Sequence, residues 1–241
     1  MQDGKKYVGN SGSTYTIIGK KLHEGGFGTV WLAKDEHGDK VVIKFPKTTK
    51  TGKDPKTFKP VEVLRENHAA YVQGLVREIN LLEPMKDDPT LPPSVIKFKD
   101  KSADSHKPFL VVEYLEGETL YEAVRHHDLA KLPEEKAVEY GIQIAEGLDY
   151  LHRKTIIHRD LKPPNVMVTK RGCVLIDLGV GKQLKESDKK AMMQTKAPKK
   201  SELAKKGRDP DWDCQHVGQH NWFVNENCDL YSVGRLLFFM L

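Results

Sequence analysis

The chain has 241 residues and a formal net charge of +5, with 38% hydrophobic and 30% charged residues. This balance indicates an ordered globular protein with a substantial core, and it excludes an intrinsically disordered chain. The first residues lack the apolar run of a signal peptide, and no segment is long and apolar enough to span a bilayer. Three cysteines are too few for a disulfide framework, so we expect a protein of the reducing cytoplasm.

The first half of the chain predicts strands and one main helix. Residues 1–14 are polar and rich in glycine and serine, which indicates a flexible leader. Between residues 15 and 45, short apolar runs separated by turns predict three consecutive antiparallel strands. The lysine- and proline-rich residues 46–60 predict a flexible insertion. Apolar positions at helical spacing then predict a helix over about residues 61–82, which Pro84 ends.

Two further apolar runs, at residues 95–98 and 109–114, complete a predicted five-stranded sheet. The rest of the chain differs, because its apolar positions recur mostly at helical spacing. A long helix is predicted to begin at Pro133, since proline favours the first helical turn. A hairpin follows, and residues 230–241 predict a very apolar helix.

Residues 158–165, with Asp177 twelve positions after Asn165, form the most informative motif of the chain. The motif places an aspartate (Asp160), a lysine (Lys162) and Asn165 on one short loop, and a second aspartate on the next turn. Such groups can orient a hydroxyl, neutralise a phosphate and hold magnesium. A surface loop has no folding reason to combine them, so the pattern indicates phosphoryl transfer.

Residues upstream of this motif fit the same chemistry. A glycine-rich turn at residues 25–28 lies between two predicted strands, where glycines let backbone N–H groups approach phosphates. Lys44 ends a predicted buried strand and needs a partner, and Glu78 on the adjoining predicted helix is the obvious candidate. Each feature alone is more often a turn or a solvated charge. Their order before residues 158–165 argues for one site.

With these motifs the chain resembles the eukaryotic-type protein kinases of the serine/threonine type, over about residues 16–179 and again over residues 229–234. The resemblance implies an α+β, two-lobed, protein-kinase-like fold. Its N-lobe would be a five-stranded antiparallel sheet with one main helix over residues 15–115, and its truncated, mainly helical C-lobe would cover residues 116–241. The implied enzyme transfers phosphate from ATP, with Mg²⁺, to serine or threonine hydroxyls of a protein substrate.

The resemblance also implies catalytic roles for four residues. Asp160 would orient the acceptor hydroxyl and take its proton, and Lys162 would stabilise charge on the γ-phosphate. Lys44 would hold the α- and β-phosphates and would be oriented by Glu78. No covalent intermediate is expected, because phosphoryl transfer mainly needs positioning and charge neutralisation.

Cofactor-binding roles follow from the same resemblance. Asn165 and Asp177 would hold Mg²⁺, and Asp229 would brace the backbone of the loop that carries the catalytic aspartate. The implied nucleotide-binding residues are Gly25, Gly26, Gly28, Val30, Val42, Lys44, Glu113, Leu115 and Met167.

The sequence departs from the family pattern in three places. His23 stands where the first glycine of the phosphate-covering loop usually lies, and Leu178 replaces the usual phenylalanine. No Ala-Pro-Glu motif occurs in residues 182–227, which makes residues 177–227 an atypical activation segment. The alternative function is therefore a kinase-like scaffold, or pseudokinase, that binds nucleotide or a partner without useful turnover.

The apolar C-terminal helix predicts an uncovered surface. Family members carry further helices beyond it, and residues 236–241 would otherwise expose a large apolar area. We expect a minimal kinase that packs this helix differently, an activating partner that covers it, or a truncated chain. Minimal kinases resemble the effector kinases that pathogenic bacteria deliver into host cells, for which the compartment would be the host cytoplasm.

Two further clusters suggest ligands less strongly. Residues 182–208 hold nine lysines and one arginine against three acidic residues. No aromatic interleaving or base-reading motif accompanies them, so a solvated loop is favoured over nucleic-acid binding. Cys214, His216, His220 and Cys228 could ligate zinc, but their spacing matches no zinc signature, and scattered polar residues are favoured.

Overall fold

The computed structural model describes residues 3–24, 28–47, 49–53, 60–64, 68–104, 106–126, 131–184 and 226–241. The chain forms two compact units. The first unit comprises Met1–Asp87 and Lys97–Tyr114, and the second comprises Asp88–Ile96 and Leu115–Leu241. Unlike the predicted N-lobe of residues 15–115, the first unit thus excludes Asp88–Ile96.

A six-stranded antiparallel sheet forms the body of the first unit. Its strands, in the order in which they neighbour one another, are β1 (Lys6–Val8), β2 (Thr14–Glu24), β3 (Gly28–Lys34), β4 (Lys40–Pro46), β8 (Leu110–Glu113) and β7 (Phe98–Lys101). A separate two-stranded ribbon consists of β5 (Thr49–Lys53) and β6 (Pro60–Leu64). The sheet has one strand more than the five predicted, because β1 pairs with β2.

The predicted flexible leader of residues 1–14 is therefore wrong where β1 forms, and a buried carboxylate explains why. Asp100 on β7 is buried and accepts hydrogen bonds from the Ser11 hydroxyl at 2.5 Å and from the Tyr15 hydroxyl at 3.0 Å. Burial, with the nearby carboxylate, raises the pKa of Tyr15 to about 12. Because a buried carboxylate needs donors, these contacts fix residues 9–15 on the sheet.

The two faces of this sheet differ in burial. One face carries a continuous apolar core made of Tyr15, Ile17, Ala33, Val41, Ile43, Phe45, Phe109 and Val111, with Tyr7 and Trp31 packed against it. Along β4 the alternate residues Val42 and Lys44 are only half-buried. This alternation follows from the two-residue period of a strand and leaves the second face available for a ligand.

One main helix, α1 (His68–Leu82), packs with this unit and contacts β4. The predicted helix begins at residue 61, but Pro60–Leu64 is strand β6. The alternation of valine with a polar residue at 61–63 suits a strand, so the helical pattern holds only from residue 68. Pro84 lies in the 3₁₀ turn Glu83–Met85, which ends the helix as predicted.

The second unit combines helices with short strand pairs. Its helices are α2 (Leu120–Arg125), α3 (Glu134–Arg153) and α4 (Glu226–Met240). Its strands are β9 (Gly117–Thr119), β10 (Ile156–Ile157), β11 (Val166–Thr169), β12 (Gly172–Leu175) and β13 (Lys182–Gln183). The predicted hairpin corresponds to β11 and β12, and β9 adds a third strand beside β11.

The helix ends follow local capping rules. Thr119 and Glu122 form a reciprocal capping box at the start of α2. Pro133 is the N-cap of α3, so the helix begins at Glu134, one residue after the start predicted from the sequence. Close packing joins α3 to α4, since a side chain at Gly141 would place its Cβ 2.8 Å from the Leu237 side chain.

The C-terminal helix α4 buries one side and exposes the other. Leu236 and Met240 are fully buried, whereas the side chains of Leu230, Phe238 and Leu241 are exposed, Phe238 at 77%. The helix therefore packs on its own unit, and an activating partner over its exposed side stays a prediction. Within the described part of the chain, no helix has the length and apolar character that crossing a bilayer requires.

The segment Asp88–Ile96 joins the second unit through specific bonds. The Ile96 N–H donates to the Leu175 carbonyl at 3.0 Å, and the Leu175 N–H donates to the Ser94 carbonyl at 2.8 Å. Asp88 accepts from the buried Tyr150 hydroxyl at 3.0 Å and pairs with Lys154 at 2.5 Å. The residues that make these bonds do not recur at the spacing of a helix or a strand. The sequence pattern therefore does not show that Asp88–Ile96 belongs to the second unit.

Candidate active site

The half-buried face of the first unit's sheet carries the predicted nucleotide-binding side chains. Val30 lies opposite Lys44 in the β3–β4 register, and Val42 lies opposite Val112 in the β4–β8 register. Directly paired residues point to the same face of a sheet, and so do residues two apart on one strand. Val30, Val42 and Lys44 therefore share one face, which is the side turned away from the apolar core.

A buried ion pair fixes the lysine of this face. The Lys44 ammonium donates to the Glu78 carboxylate on α1 at 2.6 Å. The Glu78 side chain is 3% exposed and the Lys44 side chain is 16% exposed. A charge buried to this degree requires a partner, which is why the sequence alone predicts the pair. The pair sets the direction of the Lys44 ammonium group on the half-buried face.

Of the other predicted nucleotide-binding residues in the first unit, the structure describes Gly28 and Glu113. Gly25 and Gly26 lie outside the described residues. Gly28 begins β3, and a Cβ there would come within 2.5 Å of the Phe45 carbonyl oxygen, so the backbone approach itself requires glycine. Glu113 ends β8, where its carboxylate accepts from the Lys97 N–H at 2.9 Å.

In the second unit, the loop after β10 brings together two predicted catalytic residues, Asp160 and Lys162, and the predicted metal ligand Asn165. The Asn165 side-chain amide donates to the Asp160 carbonyl at 2.8 Å and to the Asp160 carboxylate at 2.9 Å. The Lys162 ammonium lies 2.9 Å from the same carboxylate. Both carboxylate oxygens of Asp160 are thus contacted, which holds one orientation of the group.

The backbone of this loop is braced by Asp229 on α4. Its carboxylate accepts from the His158 N–H and from the Arg159 N–H, each at 2.9 Å. Arg159 has φ +69°, a left-handed conformation that costs a non-glycine residue about 1–2 kcal/mol. Asp229 and His158 are fully buried. The buried carboxylate therefore stabilises a strained backbone directly before Asp160.

His152 is a contributor that the sequence reasoning missed. Its ring nitrogen Nε2 lies 2.8 Å from the Asp229 carboxylate, in the last turn of α3. The ring shares the carboxylate with the two backbone N–H groups. A histidine six residues before the loop motif gives no signal by itself, because its partner lies 77 positions away.

The two predicted metal ligands lie at the two ends of the β11–β12 hairpin of the second unit, Asn165 directly before β11 and Asp177 after β12. Asp177 comes two residues after β12, and its carboxylate accepts from the Gly179 N–H at 2.9 Å. The Ile176 N–H donates to the Asn165 carbonyl at 3.1 Å, which ties the two segments together. With its nitrogen turned to Asp160, the Asn165 amide presents its oxygen on the other side. Amide and carboxylate oxygens are the donors that Mg²⁺ prefers, so the residues fit this ion.

The remaining predicted ligands are divided between the described and undescribed parts. Leu115 and Met167 are half-buried residues of the second unit. Cys214, His216 and His220 lie outside the described residues, while Cys228 is a buried thiol on α4. Across residues 3–184 and 226–241, excluding the gaps noted above, no cluster of three histidine, cysteine or acidic side chains could hold a metal ion. Zinc at these positions stays a hypothesis.

Comparisons with known proteins identify the family of this chain. The protein kinase domain matches residues 16–241. The serine/threonine-protein kinase Nek11 of Homo sapiens is 30% identical over 184 residues, which covers 76% of this chain and 26% of that protein. CBL-interacting protein kinase 9 of Oryza sativa subsp. japonica is 24% identical over 229 residues, covering 93% of this chain and 42% of that protein.

A solved structure shows the same fold. Vaccinia related kinase 3 matches with a TM-score of 0.66 and 17% sequence identity, over 100% of this chain and 68% of that chain. The chain spans about a quarter of the length of Nek11. With the domain match over most of its length, the chain belongs to the eukaryotic-type protein kinase family.

Proposed function

We propose that this chain is an ATP- and Mg²⁺-dependent protein kinase that phosphorylates serine or threonine hydroxyls. The observation that carries the proposal is the loop geometry around Asp160. Its carboxylate is held by Lys162 and Asn165 at 2.9–3.0 Å, on a strained backbone braced by Asp229. Such preorganisation costs stability and is expected where a group must be placed for chemistry.

In the proposed reaction, Asp160 orients the acceptor hydroxyl and takes its proton as the oxygen bonds to the γ-phosphorus. The bond between that phosphorus and the bridging oxygen of ADP breaks, and ADP leaves. Lys162 lies beside the carboxylate, where its positive charge can stabilise the transferring phosphoryl group. The chain's residues thus supply position and charge, as phosphoryl transfer requires.

Three residues would neutralise the negative charge of the nucleotide's phosphates, one directly and two through Mg²⁺. Lys44, oriented by Glu78, supplies a cation for the phosphates. Asn165 and Asp177 would hold Mg²⁺, which neutralises phosphate charge when it is bound. The convergence of these groups around a single nucleotide is part of the proposal.

Two observations support serine or threonine as the acceptor. Lys162 follows Asp160 by two positions, which is the pattern of serine/threonine kinases within the family. The relatives named above include a serine/threonine-protein kinase. The protein substrate itself has no signature in the described residues.

Label transfer from γ-labelled ATP to a cell lysate tests the proposal. Wild type should label serine or threonine in at least one protein, and Asp160→Ala should abolish that label without lowering the unfolding temperature by more than a few degrees. Asp149→Ala is a matched control, because Asp149 is exposed on α3. Tight nucleotide binding by wild type with no label transfer would instead support the scaffold alternative.

A further inference from the structure

We infer that Ser11 is a phosphoacceptor, and that a phosphate there opens a hydrogen-bonded clip between the two outer strands of the six-stranded sheet. The clip consists of residues 9–11, in the turn between β1 and β2, together with Asp100 on β7. The inference goes beyond the proposed function, because it assigns a modification to this chain itself. The enzyme that adds the phosphate is a serine/threonine kinase, either this chain or a different protein, and the test separates the two.

The clip connects strands that lie at opposite ends of the sheet order, since β1 is the first strand and β7 is the last. Gly9 forms an antiparallel bridge with Ser102, which directly follows β7. The Asn10 N–H donates to the Lys101 carbonyl at 2.8 Å. The chain just after β1 is therefore paired with the end of β7, which closes the sheet on itself at this point.

Ser11 holds the clip through a buried carboxylate. The Ser11 hydroxyl donates to one oxygen of Asp100 at 2.5 Å, and the Ser11 N–H donates to the other oxygen at 3.3 Å. The Tyr15 hydroxyl and the Lys101 N–H donate to the same carboxylate, at 3.0 Å and 2.8 Å. Asp100 is only 4% exposed, so its charge depends on such donors. Ser11 supplies two of them and thereby ties the turn to β7.

A phosphate on Ser11 is incompatible with this contact. A phosphate ester would remove the hydroxyl donor and add about −1.5 to −2 charges at pH 7, directly beside a buried carboxylate. The site is also closely packed, because a Cβ at Gly9 would lie 1.9 Å from an Asp100 oxygen and 2.9 Å from the Tyr15 ring. A phosphorylated Ser11 must therefore move away from Asp100. The backbone bonds of residues 9 and 10 to the end of β7 then lose their anchor.

The turn presents Ser11 where a kinase can reach it. Ser11 is exposed, as are Asn10 and Gly12 on either side, whereas the next serine, Ser13, is half-buried. Gly12 has φ +89°, and a glycine can leave this conformation for an extended one at little cost. When the clip opens, residues 10–12 can extend into the active site of a kinase. The Ser11 oxygen then bonds to the γ-phosphorus of ATP, its proton passes to the catalytic aspartate of the acting kinase, and ADP leaves.

Peptide mass spectrometry tests the modification in two arms. Wild type is incubated alone with Mg²⁺ and ATP, and Asp160→Ala is incubated with Mg²⁺, ATP and a cell lysate. We expect phosphate on Ser11 in at least one arm. Phosphate in the first arm identifies this chain as the enzyme, and phosphate in the second arm alone identifies a different kinase. Absence of phosphate on Ser11 from both arms would overturn the inference. If wild type labels no protein at all, the proposed function is wrong, and the lysate arm still decides the role of Ser11.

Ser11→Asp tests whether a negative charge at this position opens the clip. The new carboxylate cannot donate to Asp100 and repels it, so the unfolding temperature should fall by about 3–10 °C. The N–H groups of Asn10 and Ile17 donate to the Lys101 and Lys5 carbonyls, and their hydrogen exchange should become about tenfold faster. Asn10→Asp is the matched control, because it adds the same charge one position earlier on an exposed residue. It should lower the unfolding temperature by less than about 2 °C.

A double variant separates charge repulsion from general damage to the turn. In Asp100→Asn the side chain is neutral, and its NH₂ group can donate to a carboxylate introduced at Ser11. Ser11→Asp should therefore lower the unfolding temperature by less than about half as much in the Asp100→Asn background as in wild type. Equal losses in the two backgrounds, or no loss in wild type, would show that Ser11 does not control the clip and would overturn the inference.

Discussion

Replacing Asp229 should lower the free energy of unfolding and also disturb the backbone of the loop that carries Asp160. The carboxylate is fully buried and accepts from two backbone N–H groups, those of His158 and Arg159, each at 2.9 Å. A hydrogen bond to a charged acceptor contributes about 1.5–3 kcal/mol, so Asp229→Ala should cost about 3–6 kcal/mol. Since whole domains are stable by only about 5–15 kcal/mol, this variant will be severely destabilised.

Asp229→Asn separates the loop effect from global unfolding. The asparagine oxygen can still accept one N–H, but its NH₂ group faces the second N–H as another donor. We expect a loss of about 1.5–3 kcal/mol, which corresponds to one such bond. Without the second hydrogen bond, the left-handed backbone at Arg159 should relax and move the following Asp160.

Urea unfolding and label transfer measure the two consequences. Asp229→Asn should lower the urea midpoint and reduce label transfer at least tenfold at temperatures where the variant is folded. Asp149→Asn, which changes an exposed aspartate on α3, should shift stability by less than about 0.5 kcal/mol. If Asp229→Asn has the stability and activity of wild type, the bracing argument is refuted.

Three further predictions concern single residues. Lys44→Met leaves the buried Glu78 carboxylate without its cation, so it should abolish label transfer and cost about 3–5 kcal/mol in urea unfolding. Gly28→Ala places a Cβ 2.5 Å from the Phe45 carbonyl oxygen, and the overpacking should cost about 1–3 kcal/mol, measured as a lower unfolding temperature. Hydrogen bonds from Lys154 and Thr90 hold the pKa of Asp88 well below its usual range. The folded state therefore gains stability from Asp88 above its unfolded pKa and loses it as the pH falls, so the stability difference between wild type and Asp88→Asn should shrink as unfolding is measured from pH 7 toward pH 2.

Sequence patterns predict the elements whose burial repeats regularly. The spacing of Leu75, Ile79 and Leu82 predicts the buried side of α1, and Pro84 predicts its end. The predicted start of the helix is seven residues too early, because Val61 and Val63 alternate with a polar residue as in a strand, and the helical spacing begins only within α1.

Elements held by polar contacts escape such patterns. Ser11, in the turn that follows strand β1, donates hydrogen bonds to Asp100, 89 positions away, and a glycine- and serine-rich leader gives no sequence signal of that acceptor. Asp88–Ile96 is likewise held by backbone pairing with Leu175 and by a shared carboxylate.

The candidate site was predictable where a short motif contains the whole arrangement. Asp160, Lys162 and Asn165 lie within six positions, and the structure places them in mutual contact. The Lys44–Glu78 pair required only that a buried charge find its opposite on the next element. The contact of His152 with the Asp229 carboxylate requires α4 to pack against α3, and no local sequence pattern specifies that tertiary contact.

The path of the chain limits how this protein can be dissected. The backbone passes from one unit to the other three times, at residues 87–88, 96–97 and 114–115. A fragment that begins at residue 115 would lack Ser94 and Ile96, the hydrogen-bond partners of Leu175, and the Asp88 acceptor of Tyr150. Its edge at β12 would be unpaired on that side and prone to aggregation. Expression of the second unit alone therefore calls for a rearranged chain that carries Asp88–Ile96 with residues 115–241, because no single cut separates the two units completely.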